Sequence, residues 1–141
     1  MATVTAGIIL SDIYSLLASS TLKAAVNGSV YYDGVRARNS TLEDIVIIYT
    51  AGLTDQIQEG TVSINVYVPD VDIDIAGTKA PNLGRLFAIA AAAQTWVNSL
   101  RGTNSPYRFA LRQAIAHYKV DDEAFKQHYV HIRLGYSLLS K

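Results

Sequence analysis

Residues 60–70, Gly-Thr-Val-Ser-Ile-Asn-Val-Tyr-Val-Pro-Asp, alternate apolar and polar side chains without a break, and no other stretch narrows the fold as far. Val62, Ile64, Val66 and Val68 fall on one side of an extended chain, with Thr61, Ser63, Asn65 and Tyr67 on the other. A period of two marks a strand with one buried face and one face available to water or a partner. Pro69 ends it, because proline has no N–H to give to a ladder, and the chain leaves into an acidic segment instead of a tight hairpin.

The flanking segments supply what such a strand needs as neighbours. Residues 8–26 carry Ile9, Ile13, Leu16, Leu17 and Leu22 near helical spacing with Ser15, Ser19 and Lys23 opposite, and Asn27-Gly28 is a helix stop. Val30-Tyr31-Tyr32 begins a short strand and Asp33-Gly34 turns. Residues 35–41 then read as an exposed loop in which Arg36 and Arg38 are solvated. Within residues 43–50, Ile45-Val46-Ile47-Ile48-Tyr49 is apolar on both faces, as a central strand would be, and residues 51–59 connect it to the alternating strand. Residues 82–100 turn helical again, with Leu83, Leu86, Phe87, Ala90, Ala93, Gln94, Val97 and Leu100 in one stripe. Their alanine run makes a slim helix suited to close packing on a sheet. Trp96 lies off that stripe, facing a second core patch or a neighbouring subunit, and Arg101-Gly102 closes the helix.

The last forty residues repeat the period of two. Tyr107, Phe109, Leu111 and Ile115 alternate with Arg108, Ala110, Arg112 and Ala114, and Asp121-Asp122-Glu123 follows. Val130, Ile132, Leu134, Tyr136 and Leu138 then alternate with Tyr129, His131, Arg133, Gly135 and Ser137. These two runs predict an antiparallel hairpin. With their apolar faces in register, the opposite face gathers Arg108, Arg112, His131 and Arg133 into a basic patch, or simply the wet side of a sheet. The expected fold is α+β: a mainly antiparallel sheet of four to five strands packed by two helices, in the order α-β-β-β-α-β-β. It would form one domain over residues 1–141 with an extended acidic loop or arm at about 69–81.

Composition removes several function classes. With no cysteine, disulfides, thiolate metal sites and cysteine nucleophiles are excluded. No apolar run approaches the ~18 residues that a membrane helix needs, and residues 6–10 lack the basic flank of a signal peptide, so synthesis in the cytosol is expected. Twelve bases and twelve acids cancel, yet residues 1–80 hold nine acids against four bases, net minus five, while residues 81–141 hold eight bases against three acids, net plus five. Opposite halves suit head-to-tail pairing of copies, or the two signs mix on the folded surface.

Catalytic patterns are missing. His117, His128 and His131 are the only imidazoles, no Gly-x-Ser-x-Gly elbow or phosphate loop is present, and His128 and His131 fall on opposite faces of a strand. Asp70, Asp72 and Asp74 imitate the start of a calcium loop, but Ile75 stands where glycine belongs and Pro81 where glutamate belongs. The adjacent pairs Glu43-Asp44 and Asp121-Asp122 read as solvation, not as an acid and a base. No enzyme activity, cofactor or metal is expected.

The succession of helix, two or three strands, long acidic connection, helix and strand hairpin, taken with Asn39-Ser40 ahead of Glu43-Asp44-Ile45-Val46-Ile47 and with residues 60–70, resembles the tail-completion and tail-terminator proteins of tailed bacteriophages. The likeness runs from the first helix to the hairpin and rests on patterns of strands and turns. It implies a structural virion protein of the neck or tail, made in the host cytoplasm. Such a protein assembles as a homo-oligomeric ring, six-fold on a tail tube or twelve-fold on a portal, with DNA passing through the lumen. It would touch portal, adaptor or tail-tube proteins, and non-specifically the passing DNA, but no membrane, and it would have no catalytic residues. Asp70, Asp72 and Asp74 of the acidic segment and Arg36 and Arg38 of the 35–41 loop become the expected subunit contacts, with Trp96 a further candidate. The alternative is a small nucleic-acid-binding module using the hairpin's basic face, against which the neutral net charge argues.

Overall fold

A computed structural model describes residues 4–37, 39–53, 57–100, 106–121 and 126–139. Arg38, Arg101, Gly102, Asp122 and Glu123, all singled out above, lie outside the described residues. The first helical segment divides in two, α1 (Ala6–Ala18) and the single turn α2 (Thr21–Ala24). Ser20 causes the break. Its hydroxyl donates to Leu17 O at 2.6 Å and accepts from Lys23 N at 3.0 Å, closing one helix and capping the next. The chain continues as β1 (Val30–Tyr32), β2 (Ile45–Leu53), β3 (Ile57–Pro69), β4 (Val71–Asp72) and β5 (Lys79–Ala80). Helix α3 (Leu83–Ser99) follows, then β6 (Tyr107–Leu111), β7 (Ala116–Lys119) and β8 (Gln127–Leu139).

The main sheet runs β1-β2-β3-β8-β6, with β7 pairing β8 beside β6. All its pairings are antiparallel except β1 with β2, which lie parallel because residues 33–44 carry the chain back before β2 begins. The α+β class holds, but the sheet is mixed and six-stranded, with three helices among the described residues instead of two. Two further expectations are corrected. Residues 51–59 are not simply a connection, since β2 runs to Leu53 and β3 begins at Ile57. The run from Tyr107 to Ile115 is not one strand. It leaves the ladder after Leu111 and rejoins β8 at Ala116.

Register carries the alternation of β3 across the sheet. Val62, Ile64 and Val66 sit opposite Leu134, Ile132 and Val130 of β8, and Ile45 and Ile47 of β2 meet Val66 and Ile64 from the other side. Ile9, Ile13 and Leu17 of α1 and Leu86, Ile89, Ala93 and Val97 of α3 cover this one face, forming a single apolar core. Trp96 belongs to that core and is 3 % exposed, so its indole is spent within the chain, and no surface of it is left for a neighbouring subunit. The physical reason is the width of the α3 stripe, which reaches past Ala93 and Val97 to take in Trp96.

Strands β1, β2 and β3 form one side of the sheet and β8, β6 and β7 the other. The acidic and basic halves of the sequence meet at the β3–β8 seam and are tied together by Arg85 on Glu43 and by His128 on Asp70, so part of the acidic half's charge is paired within the chain.

Candidate interaction surfaces on the open sheet face and the arm

Helices cover only one face of the sheet. The other presents Ser63, Asn65 and Tyr67 of β3, Tyr129, His131 and Arg133 of β8, and Tyr118 of β7. One end of this open face is closed by the loop of residues 33–44, and Arg36 closes it. Its Nε donates to Asp44 Oδ2 at 2.9 Å, its second nitrogen reaches Gln127 Oε1 at 3.0 Å, and its guanidinium lies 4.3 Å from the centre of the Tyr67 ring. Asp44, with none of its surface exposed, also accepts from Ser29 N at 3.0 Å and from the Ser40 hydroxyl at 2.6 Å. Arg36 was expected to be solvated and is instead enclosed, because only a guanidinium can satisfy that buried carboxylate together with the carbonyls and the amide above it.

Glu43, one residue earlier in a strand-like segment, points to the opposite face. Arg85 of α3 grips it in a two-pronged pair, Nε to Oε2 and Nη2 to Oε1, both at 2.7 Å, and also donates to Ala25 O at 2.8 Å. Hydrogen bonding to Glu43 raises the Arg85 pKa above its ordinary value. The adjacent acids read from sequence as solvation are thus two buried anchors. Glu43 ties a helix to the sheet, and Asp44 ties the loop to the open face. Alternation along the strand sends them apart.

Beyond Tyr67 a row of rings crosses the open face. Tyr67 and Tyr129 lie 5.7 Å apart, Tyr129 and Tyr118 5.8 Å, and Tyr118 and His131 6.0 Å. His131 Nδ1 bonds Asn65 Oδ1 at 2.8 Å, and burial, followed by the charge of Arg133, lowers its pKa. Burial and the nearby guanidinium therefore disfavour the charged imidazole. The basic patch foreseen on the hairpin does assemble on one face, but its positive charge comes from Arg108, Arg112 and Arg133, all exposed.

The acidic segment is a miniature hairpin that pairs with no strand of the main sheet. Gly77, at φ +81°, makes the left-handed turn at its tip. Its three aspartates go three ways. Asp70 meets His128 Nδ1 at 2.7 Å and roots the arm on β8; Asp72 pairs with Lys79 at 2.7 Å across β4 and β5; Asp74 accepts from Thr78 N at 3.0 Å. The Thr78 hydrogen bonds hold the Asp74 carboxyl below its usual pKa. The three carboxylates do not converge on one point. What the arm does expose is apolar: Ile73 is 63 % accessible, and Ile75 is fully exposed.

At the base of the arm a cleft of about 320 Å³ lies between Ser40, Thr41, Asp70 and Lys79. Sequence reasoning missed the Arg36–Asp44 and Arg85–Glu43 anchors. The only signal it had was the paired acids followed by an apolar strand, which marks a strand entry but not what the acids meet.

No protein-family model and no curated protein matches this sequence.

Proposed function

We propose that this chain is a self-assembling structural protein of a tailed bacteriophage, forming a ring at the junction of head and tail as a tail terminator or portal-proximal connector. The observation that carries the reading is the arm. A two-stranded projection separate from the main sheet, presenting Ile73 and Ile75 to water, has apolar surface that only a partner can bury. A second copy is the occupant this reading commits to. The opposite net charges of the two sequence halves, minus five and plus five, favour a head-to-tail complement between copies, and head-to-tail contacts close into rings when the rotation allows. Rooting of the arm by Asp70 and His128 supports the same role, since an arm that must dock needs a fixed direction. Portal, adaptor or tail-tube proteins are then the heterologous partners, and the virion neck is the location.

Size-exclusion chromatography with light scattering, followed by negative-stain microscopy, tests this. Rings are expected from the unaltered chain and smaller species from Ile73→Ser/Ile75→Ser. A strict monomer at high concentration, without rings and without binding to portal or tail-tube protein, overturns the reading.

A further inference from the structure

The hairpin end of the open face differs from the end that Arg36 closes, because its arginines form no ion pair among the described residues. Among the described residues no ion pair involves Arg108, Arg112 or Arg133, whereas Arg36 and Arg85 each hold a buried acid. Register places the three in a line. Arg133 is on β8, Arg112 starts beside it with its N–H on Arg133 O at 2.9 Å, and Arg108 sits opposite Ser137. Arg112 lies flat over Gly135. A Cβ at that glycine would fall 2.1 Å from Arg112 Nε and 2.7 Å from Cζ, so the missing side chain is what lets the guanidinium rest on the sheet midway between the other two. Positions 133, 135 and 137 of one strand are about 7 Å apart in successive steps, a stride comparable with that of an extended nucleotide chain. Thr61 and Ser137 add hydroxyls on the same face.

We infer that Arg108, Arg112 and Arg133 form a track for the phosphate backbone of a nucleic acid strand. Arginines in a row, seated on a rigid antiparallel ladder and left unneutralised, are arranged to exchange counterions for phosphates. The competing occupant, the acidic arm of a second copy, fits less well. Asp70, Asp72 and Asp74 are already engaged by His128, Lys79 and Thr78. The tyrosine row lies beyond the arginines, and among its rings Tyr118 is 45 % exposed, a face that stacks on any base alike. Recognition is therefore of the backbone, without sequence preference. Glu59, opposite Ser137 on the same face, tempers the track at the Arg108 end. The track does not depend on the ring, as each single chain carries it.

The test is fluorescence anisotropy of the full chain with labelled oligo(dT) and with a labelled duplex. Three phosphate contacts give a log–log salt slope of about −2 or steeper, a loss of roughly 20-fold or more between about 50 and 200 mM salt. Arg108→Gln/Arg112→Gln/Arg133→Gln is expected to remove binding at about 100 mM salt while leaving the thermal midpoint in place. Gly135→Ala should weaken it by displacing the end of a flexible side chain, and Glu59→Gln should strengthen it. Absence of binding to either oligonucleotide, or binding indifferent to the triple substitution, overturns the inference. So does a triple variant that loses its oligomeric state without a change in oligonucleotide affinity, which would give the surface to copy-to-copy contact. A monomer that still binds through the three arginines upholds the track and removes the ring.

Discussion

The two faces of the sheet are built from the same strands and do opposite things. On the helix-covered face, Val62, Ile64, Val66, Val130 and Ile132 interlock with α1 and α3, and stability there comes from apolar area removed from water. Among the described residues the open face has no second layer. Its loop end is held by a buried carboxylate and a guanidinium, its middle by a row of rings, and its hairpin end by nothing beyond the ladder itself. The hairpin end, whose three arginines are exposed and form no ion pair among the described residues, contributes little to folding, and its charge is left over for a partner. The difference separates the residues that make the fold from those that give it something to bind.

Substitutions can break that contrast. The largest effect is expected where the open face behaves like a core: Asp44→Ala strands Arg36 without its carboxylate and should cost about 3–5 kcal/mol, read as a lowered denaturation midpoint. A near-neutral result would mean that the loop is dispensable and that the open face lacks a rigid end. Ile132→Ala, on the covered face, should cost about 2–5 kcal/mol through its cavity. Its neighbour Arg133→Gln, pointing the other way, should stay within about 0.5 kcal/mol. Equal losses at positions 132 and 133 would erase the distinction between faces.

A smaller effect concerns pH. Since burial and Arg133 depress the His131 pKa, the unfolded chain takes up its proton first. The contribution is complete above the unfolded value of about 6.5 and is lost as pH falls through that value toward the folded one. The thermal midpoint should therefore drop between about pH 7 and 5.5 more steeply for the unaltered chain than for His131→Gln. Parallel pH profiles would show that His131 is not held neutral. Smallest of all for stability, Ile75→Ser at the arm tip should move the midpoint by no more than about 0.5 kcal/mol while shifting the oligomeric state.

The strand architecture was legible because alternation is local information. Residues 60–70 became the centre of β3, and the runs around Tyr107 and Val130 became a hairpin whose apolar faces align, with Arg108, Arg112 and Arg133 gathered on the far side. The break at Ser20 was missed, because a serine in the middle of an amphipathic stretch reads as part of the polar stripe until its hydroxyl is seen capping both ways. Trp96 could not be assigned from its helix position, which left it between core and surface.

The burial of Arg36 was misread for a different reason. Nothing near it in sequence announces that Tyr67 and Gln127 will close around it, the latter 91 residues away. Periodicity by itself determined which side chains share a face, since the pleat imposes it residue by residue. Which face would be covered, which arginines would find a buried carboxylate and which would be left exposed was decided only by the tertiary structure. Ion pairs and layers depend on segments far apart in the chain, and no local pattern encodes how far a side chain must reach to meet its partner.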